Sequence, residues 1–178
     1  GVMPQALRSQ FRVPSKAVLI EVDGGVCRLQ SRTTKGTEFL TEFRLDEDPD
    51  LNEVEQRKML ISMTEQIVLL LPDHYVLSKI ISLPQATSSR LENVLQFEMD
   101  RNTPFKAEDV YFNYQILNHD TAQQTIQVKL EIVTRTVLDE LISQLVSQGI
   151  TPSSVVPQSL SVSEIDNPAM SLLPRQNG

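Results

Sequence analysis

The chain has no tryptophan, one cysteine, two histidines and few aromatic residues, 5% of 178. Cys27 has no second cysteine with which to close a disulfide, which suits a reducing compartment. With only His74 and His119 beside it, a zinc site built from cysteine and histidine is excluded. No apolar run approaches the ~18 residues that a membrane span needs. The N-terminal stretch is polar and carries Arg8, Arg12 and Lys16, unlike the apolar centre of a signal peptide. Positive charge is also short: 16 Lys and Arg stand against 23 Asp and Glu, a net charge of −7. No cationic stripe is available to displace counterions from nucleic acid, and anionic lipid repels such a surface.

What is present is a chain with 40% hydrophobic residues and no low-complexity tract, long enough for one sizeable core. It is organised around Leu83 to Tyr114. Leu91, Val94, Leu95 and Met99 recur at helical spacing, and Ser88 is placed to cap. Pro104 cannot continue a helix and drives Thr103 towards extended geometry. Phe105 stands at the corner. Beyond it Val110, Phe112, Tyr114 and Ile116 alternate with polar neighbours, which is strand spacing.

Upstream, residues 1–15 read as a mildly basic arm. Ala17 to Val22 is an apolar strand, Asp23-Gly24-Gly25 a hairpin turn, Val26 to Gln30 the return strand and Glu38 to Phe43 a third. An acidic loop follows, and then a helix expected from Leu51 to Leu71 with a buried stripe of Leu60, Met63, Ile67 and Leu71. Downstream, Tyr75 to Leu83 and Asp109 to Leu117 are expected strands, with a turn at Asn118-His119-Asp120. Thr125 to Val133 is a further strand of clean alternation. Thr136 to Gln148 is a helix with a capping box from Thr136 to Asp139, and Gly149 ends it. Ile150 to Val156 is a last strand. The order from Tyr75 is strand-helix-strand-strand-helix-strand, a ferredoxin-like unit.

Leu83-Pro84, Phe97-Glu98, Thr103-Pro104-Phe105 and Val110-Tyr111-Phe112 together resemble a segment shared by two families. These are PilM-type proteins of type IV pilus machines and the cytoplasmic domain of GspL-type proteins of type II secretion. The element order from Lys16 to Val156 is also similar to the first lobe of their actin-like fold. The resemblance implies an α+β fold. Residues 16–73 form a partial actin-like lobe, an antiparallel meander plus helix. Residues 74–156 form a ferredoxin-like βαββαβ subdomain, and 157–178 a juxtamembrane tail. Ile20 to Gly25 resembles the first phosphate hairpin of actin-like ATPases, but no second Asp-x-Gly hairpin follows, so no nucleotide is expected as a cofactor.

The ending matters too. PilM-type proteins grip a leucine-leucine-proline peptide at the start of PilN, and GspL-type proteins look like a fusion of the two. Leu172-Leu173-Pro174 resembles that peptide and is expected to dock back on the body, the alternative being a disordered linker.

Asp46, Glu47, Asp48 and Asp50 form an acidic cluster; consecutive acids in a loop usually make a solvated face, and of the two binding readings a basic partner suits them better than a metal. Glu98 and Asp100 are two apart on a helix and point away from each other, so a catalytic pair is not expected. Glu98 is expected to bond a backbone group near Pro104. Phe97 and Phe105 are expected in the core, and Tyr111 as a partly exposed partner contact. None of the serines lies in a Gly-x-Ser-x-Gly elbow, and no nucleophile, base and orienter can be assembled. The resemblance therefore implies a scaffold and not an enzyme, at the cytoplasmic face of a bacterial inner membrane, with a membrane helix expected after residue 178. Its implied partners are the N-terminal domain of a secretion or pilus ATPase and other inner-membrane platform proteins, with a homodimer left open.

Overall fold

The computed structural model describes residues 10–11, 16–64, 66–159 and 169–170. Two sheets dominate it. The larger has five strands: β2 (Ala17–Asp23), β3 (Val26–Thr33), β4 (Gly36–Arg44), β5 (Ile67–Leu71) and β9 (Ser154–Pro157), in the order β4-β3-β2-β5-β9. The first three run antiparallel, while β5 pairs parallel to β2 and β9 pairs parallel to β5. A meander extended by parallel strands, with helices packed on it, places the fold in the α+β class. A short antiparallel pair, β1 (Gln10–Phe11) with β10 (Ala169–Met170), brings the two ends of the chain together.

The central strands are buried on both faces. Val18, Ile20, Leu69, Leu71 and Val155 point into one cluster, with Cys27 and Leu29. Ala17, Leu19, Val68, Leu70 and Val156 form the opposite face. Burial on both sides removes the need for polar alternation, which is why β2 and β5 read as unbroken apolar runs.

That physics also corrects the expected helix. α1 spans Leu51–Ile61 and stops there; the apolar run after it is strand β5. A short apolar run does not reveal its own period, so helix and buried strand look alike in sequence. The buried face of α1 is Val54, Arg57 and Ile61, and Met63 is 93% exposed. Asp50 caps this helix, accepting from the amides of Asn52 and Glu53 at 2.7 and 3.2 Å.

The second sheet has three strands, β6 (Leu77–Pro84), β7 (Val110–Asp120) and β8 (Thr125–Thr134), ordered β6-β8-β7. α2 (Leu91–Asn102) lies against it through Leu91, Leu95 and Met99, which meet Phe112, Ile126, Val128 and Leu130. Burying each such leucine contributes ~1.5–3 kcal/mol. A 3-10 turn, Gln85–Arg90, precedes α2, so Ser88 is not its cap; the Ser88 hydroxyl donates to the Gln85 carbonyl. Thr103 ends the helix as expected. Its hydroxyl donates to the Met99 carbonyl at 2.8 Å and accepts from the Phe105 amide at 3.2 Å.

The hairpin turn between β7 and β8 is residues 121–124, later than expected, with Asp120 accepting from the Gln123 amide. The expected βαββαβ unit is not completed within this sheet. α3 (Arg135–Ser147) packs Leu138, Leu141 and Leu145 into the cluster of the five-stranded sheet, and β9 joins that sheet beside β5. Period and order were read correctly, but they do not say which sheet edge a strand joins. The α3 cap is Thr134, which accepts from the Val137 amide, in place of Thr136.

Candidate functional site

A cleft of about 590 Å³ opens at the end of the five-stranded sheet where β2 and β5 finish. It is lined by Glu21, Asp23, Arg28, Glu42, Asp73 and His74, with Val22, Val26, Pro72 and Gln158. Its geometry follows from one turn. Gly24 and Gly25 have φ of 55° and 81°, the left-handed pair that a tight two-residue hairpin requires. That turn sets Asp23 opposite Val26, and so Glu21 opposite Arg28; the next strand sets Arg28 opposite Glu42. Three charged residues thus stand in a row across the sheet. The Arg28 guanidinium donates to one Glu42 oxygen at 2.8 and 3.1 Å and lies 3.8 Å from Glu21. Asp73 accepts from the Ser159 amide at 2.9 Å.

The cleft therefore holds four carboxylates against one guanidinium, and that guanidinium is already paired. This is the end of the sheet at which the Asp23-Gly24-Gly25 hairpin sits. A triphosphate here would meet like charge at close range, which costs free energy in proportion to the poor screening inside a cleft.

The acidic loop lies beside the same hairpin. The Leu45 amide donates to the Gly25 carbonyl at 2.8 Å. Asp46 is clasped by Arg44 through bonds of 2.9 and 2.6 Å, and this hydrogen bonding holds its carboxyl below the usual carboxylate range. Glu47 reaches Arg44 at 3.5 Å, and Asp48 is exposed. Asp46, Glu47, Asp48 and the cleft carboxylates thus occupy one end of the molecule. The sequence reading singled out the loop and not Glu21, Glu42 or Asp73. The register of the Asp23-Gly24-Gly25 hairpin was the signal for Glu21, opposite Arg28; Glu42 reaches Arg28 only through a bulge between β3 and β4.

Tyr111 lies elsewhere. It is half-buried between β7 and α3; its hydroxyl donates to Asp139 at 2.7 Å and the Arg135 guanidinium lies 4.7 Å from its ring centre. Burial, then the Asp139 carboxylate, pushes the phenol pKa up. Phe97, expected in the core, is 78% exposed because α2 turns Leu95 and Met99 inward. Phe105 packs against the core of the smaller sheet. The Glu98 carboxylate bonds the Asn102 side-chain amide at 2.9 Å instead of a backbone group near Pro104. Leu172, Leu173 and Pro174 lie outside the described residues.

Among the described residues, no helix is long and apolar enough to cross a membrane. No group of three or more His, Cys, Asp or Glu among them could hold a metal ion.

No family model matches the chain. The Type II secretion system protein L of Xanthomonas campestris pv. campestris is 27% identical over 139 residues. That match covers 77% of this chain and 36% of the relative, so the chain spans little over a third of that protein. Two solved structures share the fold. One is the cytoplasmic domain of EpsL, an inner membrane component of the type II secretion system of Vibrio cholerae, with a TM-score of 0.56 and 17% identity over 82% of this chain and 58% of that one. The other is the PilM-PilN type IV pilus biogenesis complex, with a TM-score of 0.60 and 16% identity over 83% of this chain and 49% of that one. The chain is similar to GspL-type cytoplasmic domains in sequence, and to both structures in fold.

Proposed function

We propose that this chain, similar to GspL-type proteins over most of its length, is a cytoplasmic scaffold domain of a type II secretion inner-membrane platform. In this reading it recruits the secretion ATPase and couples it to the membrane complex, without catalysing a reaction. The observation that carries it is the sign of the charge at one end of the lobe. Glu21, Asp23, Glu42 and Asp73 line the cleft there, and Asp46, Glu47 and Asp48 flank it. Such a surface repels phosphate and attracts a basic protein face, with association that weakens as salt rises.

Affinity capture with the N-terminal domain of the cognate ATPase tests this. Recovery of a complex that dissociates with salt is expected. No recovery, with the fold preserved, removes the central content of the proposal. A PilM-like role in a pilus machine is the alternative favoured by the fold likeness to the PilM-PilN complex, and the ATPase that is captured distinguishes the two. An actin-like nucleotide protein is the remaining reading. Titration with ATP and magnesium giving low-micromolar affinity would establish it in place of ours.

In the same reading, Leu172-Leu173-Pro174 docks on the body as a PilN-like peptide. Amide exchange in that stretch as fast as in free peptide counts against it.

A further inference from the structure

A sheet edge presents backbone amides and carbonyls without partners, and proteins commonly guard it against pairing with another chain. Three of the four edge strands of the two larger sheets are guarded. β4 bulges at Leu40 and β7 at Leu117, and β9 has four residues and ends in Pro157. β6 has no bulge: it pairs with β8 residue for residue from Leu77 to Pro84. Among the described residues, no strand pairs with its other side. Ser78, Ile80 and Ser82 are exposed, Ile80 at 59%. The one charge on β6 does not guard it. The Lys79 ammonium donates to the Asn102 carbonyl at the end of α2, on the face that carries Ile81 and Leu83 towards that helix.

The backbone of β6 also has a defined direction. Pro84 has no amide hydrogen, so in a strand paired with β8 it takes a position that faces the open side. The next amide, that of Gln85, donates to the Gln124 carbonyl on the β8 side at 2.8 Å. Along an antiparallel ladder, successive residues alternate between the two sides. Ser78, Ile80 and Ser82 therefore turn their amides and carbonyls outward.

We infer that β6 is a self-pairing edge: a second copy of the chain adds to it antiparallel, and two three-stranded sheets become one continuous sheet. The sequence of β6 is nearly a palindrome, Leu77-Ser78-Lys79-Ile80-Ile81-Ser82-Leu83. Centred on Ile80, the pairing sets Ile80 against Ile80 of the second copy, Ser78 against Ser82 and Leu77 against Leu83. All the outward residues then exchange backbone bonds across a twofold axis, as a contact between identical surfaces requires. The Ile80 pair also removes two exposed apolar side chains from water. Neighbouring registers are worse. Centred on Lys79, the pairing sets like charges directly opposite. Centred on Ile81, it sets Ser78 against Pro84, which has no amide hydrogen to give. One strand pair is smaller than the ~20–30 residues a side of a stable interface, so the dimer is weak and depends on concentration. None of the β6 residues lines the acidic cleft, so each dimer presents two acidic ends to a partner assembly.

Sedimentation equilibrium and amide spectra of the full chain, from low micromolar to near-millimolar concentration, test this. A monomer–dimer equilibrium is expected, with the Ser78, Ile80 and Ser82 amides shifting as the dimer forms. In a mixture of isotopically labelled and unlabelled copies, nuclear Overhauser contacts should link Ser78 of one copy to Ser82 of the other. Ile80→Lys sets two ammonium groups across the axis and should weaken the dimer by about tenfold or more, with the melting temperature reporting that the fold is kept. Ser82→Pro removes an outward amide and no bond to β8, and should weaken it as well. A chain that stays monomeric throughout, an Ile80→Lys variant that dimerises like the wild type, or intermolecular contacts confined to another surface overturns the inference. So does a monomer whose β6 amides shift only when the ATPase N-terminal domain is added, which would assign the edge to that partner.

Discussion

The buried Arg57 guanidinium is held by Gln148, which accepts through its backbone carbonyl at 3.0 Å and its side-chain oxygen at 2.5 Å. The amide nitrogen of the same Gln148 donates to the carbonyls of Glu47 and Arg44 at 3.1 and 3.4 Å. One glutamine at the end of α3 thus joins α1 to the acidic loop. Glu53 and the face of Phe43 complete the surroundings of Arg57.

Removing the side chain from this junction leaves a buried charge short of an acceptor. Gln148→Ala should cost about 1–3 kcal/mol in urea unfolding, because an unsatisfied buried group loses its water without recompense. Combining Gln148→Leu with Arg57→Met should recover part of that loss, since both polar partners then leave together. Amide exchange at Asp46, Glu47 and Asp48 should quicken in Gln148→Ala; unchanged exchange would show that the loop does not depend on the glutamine.

Gly149 follows directly, with φ of 85°. A Cβ there would lie 3.0 Å from the Val54 carbonyl oxygen and methyl and 3.1 Å from Lys58. Gly149→Ala therefore meets both the left-handed penalty and a clash against α1, and should destabilise by about 2 kcal/mol or more. Thermal melts measure this, and Gly24→Ala is the useful control. Gly24 is also left-handed, but no atom lies within 4 Å of the added methyl.

Cys27 sits in the core, and burial pushes its thiol up to about 12, against a smaller opposing pull from Arg57. A raised folded pKa means that this contribution is complete below the ordinary thiol value near 9.0 and is lost as pH rises towards 12. Urea midpoints of the wild type and Cys27→Ala should converge over that range. Parallel curves would rule out titration of the thiol as a source of alkaline instability.

Charge reversal at the acidic end separates recognition from folding. Asp46→Lys/Glu47→Lys/Asp48→Lys should weaken capture of the ATPase N-terminal domain by tenfold or more at low salt. The melting temperature should fall only slightly, through loss of the exposed Arg44 pairs with Asp46 and Glu47, with Asp48→Lys alone leaving it nearly unchanged. Equal binding by the variant would move the contact away from this loop.

The corner after α2 depends on Thr103 as well as Pro104. Thr103→Val keeps the shape and removes the hydroxyl that bonds Met99 and Phe105, and should cost about 1 kcal/mol. Pro104→Ala should loosen the corner by less, seen as faster amide exchange at Phe105 with no change in any binding property.

Local patterns made much of this molecule legible. Leu91, Leu95 and Met99 mark one helix face by spacing alone, Asp23-Gly24-Gly25 marks a hairpin, and Thr103-Pro104 marks a stop; each signal arises within a few residues of backbone sterics. The pairing of Glu21 with Arg28 was also implicit there, because a two-residue turn sets the register of β2 and β3; Glu42 joins them only through a bulge between β3 and β4, which the sequence does not mark. Tertiary structure decided what spacing leaves open. The run from Ile67 to Leu71 became a strand because both faces of a sheet were there to bury it, and β9 joined β5 because hydrogen bonding to a free edge carries no mark in sequence. Only folding brought Asp46 beside Gly25, and Arg57 under Gln148, since contacts between distant residues are fixed by packing and not by neighbours along the chain.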